Sequence, residues 1–90
     1  MEFQHLHVFV VIAHCKNLEE ALRALEMGEL EVSGAIQALE EMFGVKLVRN
    51  CCAEIELTEC GCTLLSHAEK IVSDIDDAFR AVERAKFSSL

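Results

Sequence analysis

The segment from residue 17 to residue 43 restricts the fold of this chain more than any other. Asn17, with Glu20 three positions later, is typical of a helix start at which a side-chain amide caps a backbone N–H. Gly28 favours a turn, and Gly44 favours the end of a second run of helically spaced apolar residues. The segment therefore predicts a short helix after Asn17, a tight turn, and a longer helix that ends before Gly44.

The same segment is strongly acidic. It holds seven carboxylates and a single base, Arg23, in a chain whose net charge is −8. Two helices at this spacing are typical of a helix-turn-helix, whose second helix enters the major groove of DNA. Proteins that approach DNA usually carry Lys and Arg, which replace the counterions around phosphate. The segment thus combines the spacing of a DNA-binding motif with the charge of an acidic surface.

A first helix precedes this pair of helices. Leu6, Phe9, Val10 and Ala13 follow the spacing of one helical face and predict a helix over about residues 3–14. The chain has 90 residues and 52% apolar content, which is enough for one small domain with a single core. We expect the three short helices to form that core.

A short hairpin is predicted after the third helix. Residues 45–48 and 55–57 favour β-structure, and residues 49–54 between them suffice for a hairpin loop. Thr58, followed by Glu59, favours the start of a fourth helix. The hairpin would form a wing beside the helix-turn-helix.

The last third of the chain has the clearest periodic pattern. Apolar residues alternate by four and three positions from Leu64 to Ala85, which is the a/d spacing of a coiled-coil seam. A second apolar row runs alongside, so one row can pack on the core while the other meets a partner. The alternative is one broad amphipathic helix lying on its own domain. The positions expected in a dimer interface are Leu64, Ala68, Ile71, Val72, Ile75, Ala78, Phe79 and Val82.

These segments together predict a mainly α fold. It is a winged helix-turn-helix with a three-helix core, a short two-stranded wing and a long C-terminal dimerisation helix. The expected boundaries are 1–58 for the winged core and 59–90 for the linker helix. Within the core, the helix-turn-helix covers about 18–43 and the wing about 45–57.

Three parts of the chain match a known family: the opening MEFQHLHVFVVIA, ELTECG at residues 56–61, and the framework positions Ala21, Leu25, Val32, Ser33, Ile36, Leu39, Glu40, Gly44, Val45 and Leu47. By these parts the chain resembles the N-terminal DNA-binding domain of LysR-type transcriptional regulators over essentially its full length. The resemblance implies a winged helix-turn-helix that pairs through its last helix and that normally precedes an effector-binding domain. The chain ends before such a domain, as a piece of a longer regulator or a naturally short protein would.

The chain departs from the family where that family contacts DNA. Recognition helices there usually open Ser-Gln-Pro, where this chain has Gly28, Glu29 and Leu30, and Gly34 replaces an arginine. A glutamate only accepts hydrogen bonds, mostly from cytosine, and it repels phosphate. By the resemblance, the DNA-contact positions are Gly28, Glu29, Leu30, Ser33, Gly34, Ala53 and Glu54, and the bases left for phosphate contacts are Lys16, Arg23, Lys46 and Arg49.

Two functions remain open from the sequence. In the first, the domain acts through dimerisation or protein interaction, and its acidic contact surface binds DNA weakly or not at all. The dimer would be a homodimer through the C-terminal helix or a heterodimer with an intact LysR-type regulator, and the acidic surface would also suit a basic partner. In the second, the chain is a functional sequence-specific DNA-binding domain with unusual specificity.

The remaining side chains predict neither an enzyme nor a cofactor. The sequence has no nucleophile with a base, no catalytic carboxylate pair and no Gly-rich phosphate loop. A soft-metal site near the wing stays open, although the simpler interpretation of the cysteines is free thiols. No membrane-length apolar stretch or secretory signal occurs, so we expect a cytoplasmic protein. The cysteines of the possible metal site are Cys51, Cys52, Cys60 and Cys62.

Overall fold

The computed structural model describes residues 3–50 and 54–88 of the chain. α1 contacts α2, α3 and α4, while the two strands pair with each other and β2 also meets α4. These contacts place α1 at the centre of the domain. The elements in chain order are α1 (Phe3–Ala13), α2 (Leu18–Leu25), α3 (Glu29–Phe43), β1 (Val48–Asn50), β2 (Glu56–Leu57) and α4 (Glu59–Ser88).

One apolar core joins the three short helices, the first strand and the first half of α4. Phe9 from α1, Leu39 from α3 and Leu47 just before β1 are among its largest fully buried side chains. Ala68 brings α4 into the same core. The three-helix core predicted from the sequence is therefore present, and the wing and α4 complete it. The other buried residues are Leu6, Val8, Ile12, Ala21, Val32, Ala35, Ile36 and Val48.

The buried side of α1 is wider than the spacing of its apolar residues predicts. Val8 and Ile12 are buried, whereas Val10 and Ala13 are only half-buried. The reason is that α1 packs between α3 and α4 instead of resting on a single neighbour. A helix covered from two directions buries a broader arc than one apolar stripe.

The turn between α2 and α3 is made by Glu26 and not by Gly28. Asn17 caps α2 as predicted, because its Oδ1 accepts from the Glu20 N–H at 2.9 Å. α2 ends at Glu26 in the left-handed region, with φ 54° and ψ 40°, a conformation that costs an L residue about 1–2 kcal/mol. Gly28 has extended backbone and is the N-cap residue of α3, with its N–H 3.5 Å from Glu31 Oε1.

The wing is a small antiparallel pair whose first strand lies later than predicted. The strand expected at residues 45–48 begins at Val48 and reaches Asn50. Val48 pairs with Leu57 across an irregular register. The hairpin loop residues 51–53 lie outside the described residues.

The wing is also tied to the start of the helix-turn-helix. The Ile55 N–H donates to the Lys16 carbonyl at 3.2 Å, and Glu54 forms an isolated antiparallel bridge with Asn17. The second strand therefore continues into a backbone contact with the loop that precedes α2.

The backbone of residues 46–48 is held by α3 on one side. Glu40 Oε2 accepts from the Leu47 N–H at 2.8 Å and from the Val48 N–H at 3.2 Å. Hydrogen bonds to a charged acceptor are stronger than neutral ones. This bond pair explains why β1 starts late, since the N–H groups before and at its first residue point to α3.

The start of α4 holds the same backbone from the other side. The Thr58 N–H donates to the Leu47 carbonyl at 3.0 Å, and Thr58 Oγ1 donates to the Lys46 carbonyl at 2.6 Å. The same hydroxyl accepts from the Gly61 N–H at 3.0 Å, which caps α4 as predicted. Residues 46–48 thus connect α3, the wing and α4 in one unit.

α4 is a continuous helix of 30 residues that leaves the core partway along its length. Leu64 and Leu65 pack against the core and Ala68 is fully buried, whereas Phe79 is 68% exposed and Val82 is also exposed. The domain is consequently elongated, with extents of 50 × 26 × 18 Å. Within the described residues, no helix combines the length and apolar character needed to cross a bilayer.

We predict that Gly61→Ala lowers the free energy of unfolding by about 1–3 kcal/mol, the usual cost of overpacking. A Cβ at Gly61 would lie 2.2 Å from the Leu47 carbonyl oxygen, so the clash is with backbone and not with the end of a flexible side chain. Urea unfolding at one fixed protein concentration measures the change.

Gly34→Ala is the matched control for this substitution. Nothing that the structure describes lies within 4 Å of a Cβ at Gly34, so alanine there should stabilise α3 by about 0.5–1 kcal/mol. Equal effects of the two alanines on stability would contradict the close packing of α4 against residues 46–48.

Candidate nucleic-acid interface

The first two turns of α3 carry most of the predicted DNA-contact positions. Glu29, Leu30, Ser33 and Gly34 are all exposed there, and Leu30 is 88% exposed. Leu30, Ser33, Gly34 and Gln37 fall on one helical face, because residues three and four apart are neighbours on a helix. We call Glu29, Leu30, Ser33 and Gly34 the reading surface.

The wing borders the same side of α3. Ser33 and Gln37 line an open groove of ≈ 570 Å³ together with Lys46, which precedes β1, and Ile55, which precedes β2. The structure therefore brings α3 and the wing next to each other, as the resemblance implies. Of the two wing positions expected to contact DNA, Glu54 is exposed and Ala53 lies outside the described residues.

The charged side chains in the first turn of α3 are carboxylates. Glu29 and Glu31 lie in the first turn, and both are exposed. Carboxylates at a helix N-terminus stabilise the helix, because they face the positive end of its dipole. The charges of this turn therefore stabilise α3.

The four bases predicted to contact phosphate differ in how closely a carboxylate of the same domain approaches them. Arg23 Nη2 lies 2.8 Å from Glu19 Oε1, in a pair whose members are both largely exposed. Lys46 Nζ lies 4.0 Å from Glu40 Oε1, at the limit of an ion pair. Lys16 and Arg49 are exposed. Arg23 is therefore partly neutralised within α2, and the other three bases remain near the wing.

The cysteines are spread over the domain. Cys15, Cys60 and Cys62 are free thiols, and no group of three His, Cys, Asp or Glu among the described residues is placed to hold a metal ion. Burial raises the pKa of the Cys15 thiol and the Glu20 carboxylate raises it further. Cys51 and Cys52, the other members of the hypothesised soft-metal site, lie outside the described residues.

The burial of the predicted dimer positions changes along the length of α4 and does not separate one apolar row from the other. Ala68 is fully buried in its own domain, and Val72 and Ile75 are half-buried. Ile71, Ala78, Phe79 and Val82 are exposed. Both apolar rows pack on the core near the start of α4 and both are uncovered near its end. We call the exposed positions Ile71, Ala78, Phe79 and Val82 the α4 stripe.

A charge gradient along α4 was missed in the sequence interpretation. Five acids and one base occupy residues 59–79, whereas three bases and one acid occupy residues 80–88. Counting charge by halves of the predicted helix, in addition to its apolar spacing, would have found this signal. The two ends of the helix therefore carry opposite net charge.

These features define a winged helix-turn-helix domain of the DNA-binding type, with a protruding C-terminal helix. The family model of the bacterial regulatory helix-turn-helix proteins, lysR family, matches residues 3–62. The chain belongs to this family, as its resemblance predicted. The family consists of transcription regulators and not enzymes, which agrees with the sequence interpretation.

Curated relatives are similar over most of this chain. An uncharacterized HTH-type transcriptional regulator in the ibpB-leuC intergenic region of Azotobacter vinelandii is 34% identical over 82 residues, 91% of this chain and 57% of the relative. BudR of Klebsiella aerogenes is 35% identical over 86 residues, 96% of this chain and 58% of the relative. The chain thus spans less than two thirds of the length of these relatives.

Solved structures of DNA-binding domains share the whole fold. The domain in the BenM_DBD/catB site 1 DNA complex has a TM-score of 0.88 and 26% identity, covering 100% of this chain and 97% of that chain. The domain in the CbnR_DBD-DNA complex has a TM-score of 0.80 and 30% identity, covering 100% of both chains. The predicted winged helix-turn-helix with a long last helix is therefore confirmed.

We predict that Glu40→Ala destabilises the domain by about 2–3 kcal/mol, because two buried backbone N–H groups lose a charged acceptor. Glu41→Ala is the control, since Glu41 is exposed and accepts only a 3.3 Å bond from Gln37. Its effect should stay within about 0.5 kcal/mol. Urea unfolding compares the two variants, and similar losses for both would contradict the role of Glu40 in holding the wing.

Proposed function

We propose that this domain dimerises through α4 and presents two reading surfaces that bind duplex DNA weakly. The observation that carries the proposal is the charge of the first two turns of α3, where Glu29 and Glu31 are the charged residues. The domain would act in transcription regulation through its dimer contacts, with DNA affinity reduced by its own surface. A domain that acts on chromosomal DNA in a bacterium would be located in the cytoplasm.

Electrostatics supports weak binding. A carboxylate about 4 Å from a phosphate costs about 1 kcal/mol in bulk water and more where water is excluded. Tight DNA-binding proteins offset such costs with about 6–10 phosphate contacts from Lys and Arg. Three bases lie near the wing: Lys16, Lys46 and Arg49. Among the described ion pairs, none of them has a carboxylate within 3 Å. One subunit therefore offers few contacts against two opposing charges.

The scaffold itself suits DNA contact. Two of the similar structures, the CbnR and BenM domains, are complexes with DNA. Their likeness to this chain supports the placement of α3 in a major groove, where N-terminal residues of the helix meet base edges. We therefore assign the weakness to Glu29 and Gly34, and not to the fold.

Dimerisation rests on the α4 stripe. Phe79 and Val82 continue the apolar side of the helix beyond its own core, where water covers them in the monomer. Burying a Phe or Val side chain contributes about 1.5–3 kcal/mol. An antiparallel arrangement places the acidic part of one α4 beside the basic part of the other, whereas a parallel arrangement places like charges together. We propose an antiparallel pair, formed by two copies or by one copy and an intact regulator of the family.

The first prediction concerns the reading surface. The double variant Glu29→Gln/Gly34→Arg should bind a duplex of mixed sequence at low salt about tenfold more tightly than the unmodified protein, since one repulsion is removed and one base is added. The salt dependence, as log K against log[salt], should steepen by about one unit. Fluorescence anisotropy of a labelled duplex measures both quantities.

The matched control is Ser73→Arg/Asp77→Asn. Both positions are exposed on α4, and this pair changes the net charge by the same amount. Its duplex affinity should rise far less than that of the α3 pair. An equal rise would show that net charge alone limits DNA binding, and no rise with the α3 pair would show that the reading surface does not meet DNA.

The second prediction concerns the α4 stripe. Phe79→Ser should raise the dimer dissociation constant by at least about tenfold, since most of the burial of a Phe is lost. Phe87→Ser is the control, because Phe87 has a similar exposure of 69% but lies off the stripe by helical spacing. Sedimentation velocity over a range of protein concentrations gives both constants.

Two results would contradict the dimer proposal. One is a monomer at micromolar concentration, and the other is an equal effect of both Phe substitutions. Charge reversal with Arg80→Glu/Lys86→Glu tests the orientation, because it should weaken an antiparallel dimer and leave a parallel one unchanged or tighter.

A further inference from the structure

We propose that a cleft between α1 and the start of α3 is a docking site for a basic amphipathic segment of another protein. The cleft has a volume of ≈ 280 Å³ and is called the Leu30 cleft here. Gln4, His5 and Glu31 contribute polar side chains to its lining. The apolar or small residues that line it and carry the proposal are Val8, Met27, Leu30, Gly34 and Ala35. This site is separate from the α4 stripe and goes beyond the proposed dimer.

The floor and one wall of the cleft are apolar. Val8 and Ala35 are buried beneath it, Met27 is half-buried at its side, and Leu30 stands 88% exposed at its edge. Leu30 is more exposed than the other large apolar side chains that the structure describes. A leucine in this state gains free energy when an apolar group covers it.

Gly34 leaves the backbone of α3 open at the same place. Nothing that the structure describes lies within 4 Å of a Cβ at this position. A glycine in the interior of a helix is less stable than alanine, and here no packing inside the domain requires it. A partner chain that approaches the α3 backbone closely would use this missing side chain.

The charge around the cleft selects the occupant. Glu31 lines the cleft, and none of the residues described in its lining is Lys or Arg. Glu26, in the turn before α3, and Glu29, in its first turn, are exposed neighbours in the chain. A phosphate backbone would meet these carboxylates with like charge, whereas Lys or Arg on both sides of an aliphatic residue would pair with them. The fitting partner is therefore a protein segment with aliphatic side chains at helical spacing and flanking bases.

Occupation of the Leu30 cleft also covers the reading surface, because both share Leu30 and Gly34. A bound protein segment and a DNA duplex would consequently exclude each other. The acidic start of α3 would then be a recognition feature for a protein and not only a defect in DNA contact.

The test uses a synthetic peptide of about 14 residues, four helical turns, in which Leu and Lys alternate at helical spacing. ¹⁵N-labelled full chain is titrated with the peptide, and amide chemical-shift changes are followed by NMR. The changes should centre on Val8, Leu30, Gly34 and Ala35. A second peptide with Ser in place of each Leu keeps the charge and should bind at least about fivefold more weakly.

Variants of the protein complete the test. Leu30→Ala should weaken binding of the Leu/Lys peptide at least about fivefold, and Glu26→Gln/Glu29→Gln should make the affinity less sensitive to salt. Phe87→Ala and Glu83→Gln are matched controls on α4 and should leave the affinity unchanged. Leu30 and the two glutamates are exposed, so these substitutions should not affect folding, which circular dichroism checks.

Three results would overturn the proposal. The first is equal binding of the Leu/Lys and Ser/Lys peptides, and the second is a Leu30→Ala effect no larger than that of Phe87→Ala. The third is a mixed-sequence duplex that shifts the same amides and displaces the peptide at lower concentration. That last result would assign the Leu30 cleft to DNA.

Discussion

The short backbone of residues 46–48, held between α3 and α4, is the constraint on which the rest of the domain depends. Glu40 accepts hydrogen bonds from two of its backbone N–H groups. Thr58 donates to its carbonyl groups and also caps α4. The close approach of Gly61 leaves no room for a side chain there. One segment therefore bonds α3, the wing and the start of α4 together. A dimer through α4 would therefore fix the separation of two reading surfaces.

The carboxylates at the start of α3 have two opposing effects, one on helix stability and one on DNA binding. Glu29 and Glu31 favour the helix through its dipole, and Glu31 also reaches the Gly28 N–H. We propose that the same carboxylates weaken DNA binding, because a helix-turn-helix presents the start of its second helix to the major groove. The fold is that of the family's DNA-binding domains, and the exposed start of α3 carries carboxylates. That separation is physically simple, since buried apolar positions decide folding and exposed positions decide what is bound.

The sequence predicted those features that depend on local preferences of the chain. Its predictions were wrong where contacts with another part of the fold determine the backbone. Gly44 ends α3 with φ 70° as expected, because a left-handed C-cap is a local preference. Glu26, and not Gly28, turns the chain, since the backbone bonds that close α2 outweigh the strain of that residue. Phe43, the last residue of α3, is 45% exposed, because the chain leaves α3 there towards the wing. The reading surface was located only through family resemblance, and the exposure of Leu30 required the packed structure.

The salt dependence of duplex binding by the unmodified protein tests the central claim most directly. Anisotropy titrations between about 50 and 200 mM salt give the affinity and its slope on a logarithmic plot. Few productive phosphate contacts predict a dissociation constant above about 1 μM near 150 mM salt and a slope shallower than about −3. Nanomolar binding with a slope of about −6 or steeper would show that the bases overcome the carboxylates of α3.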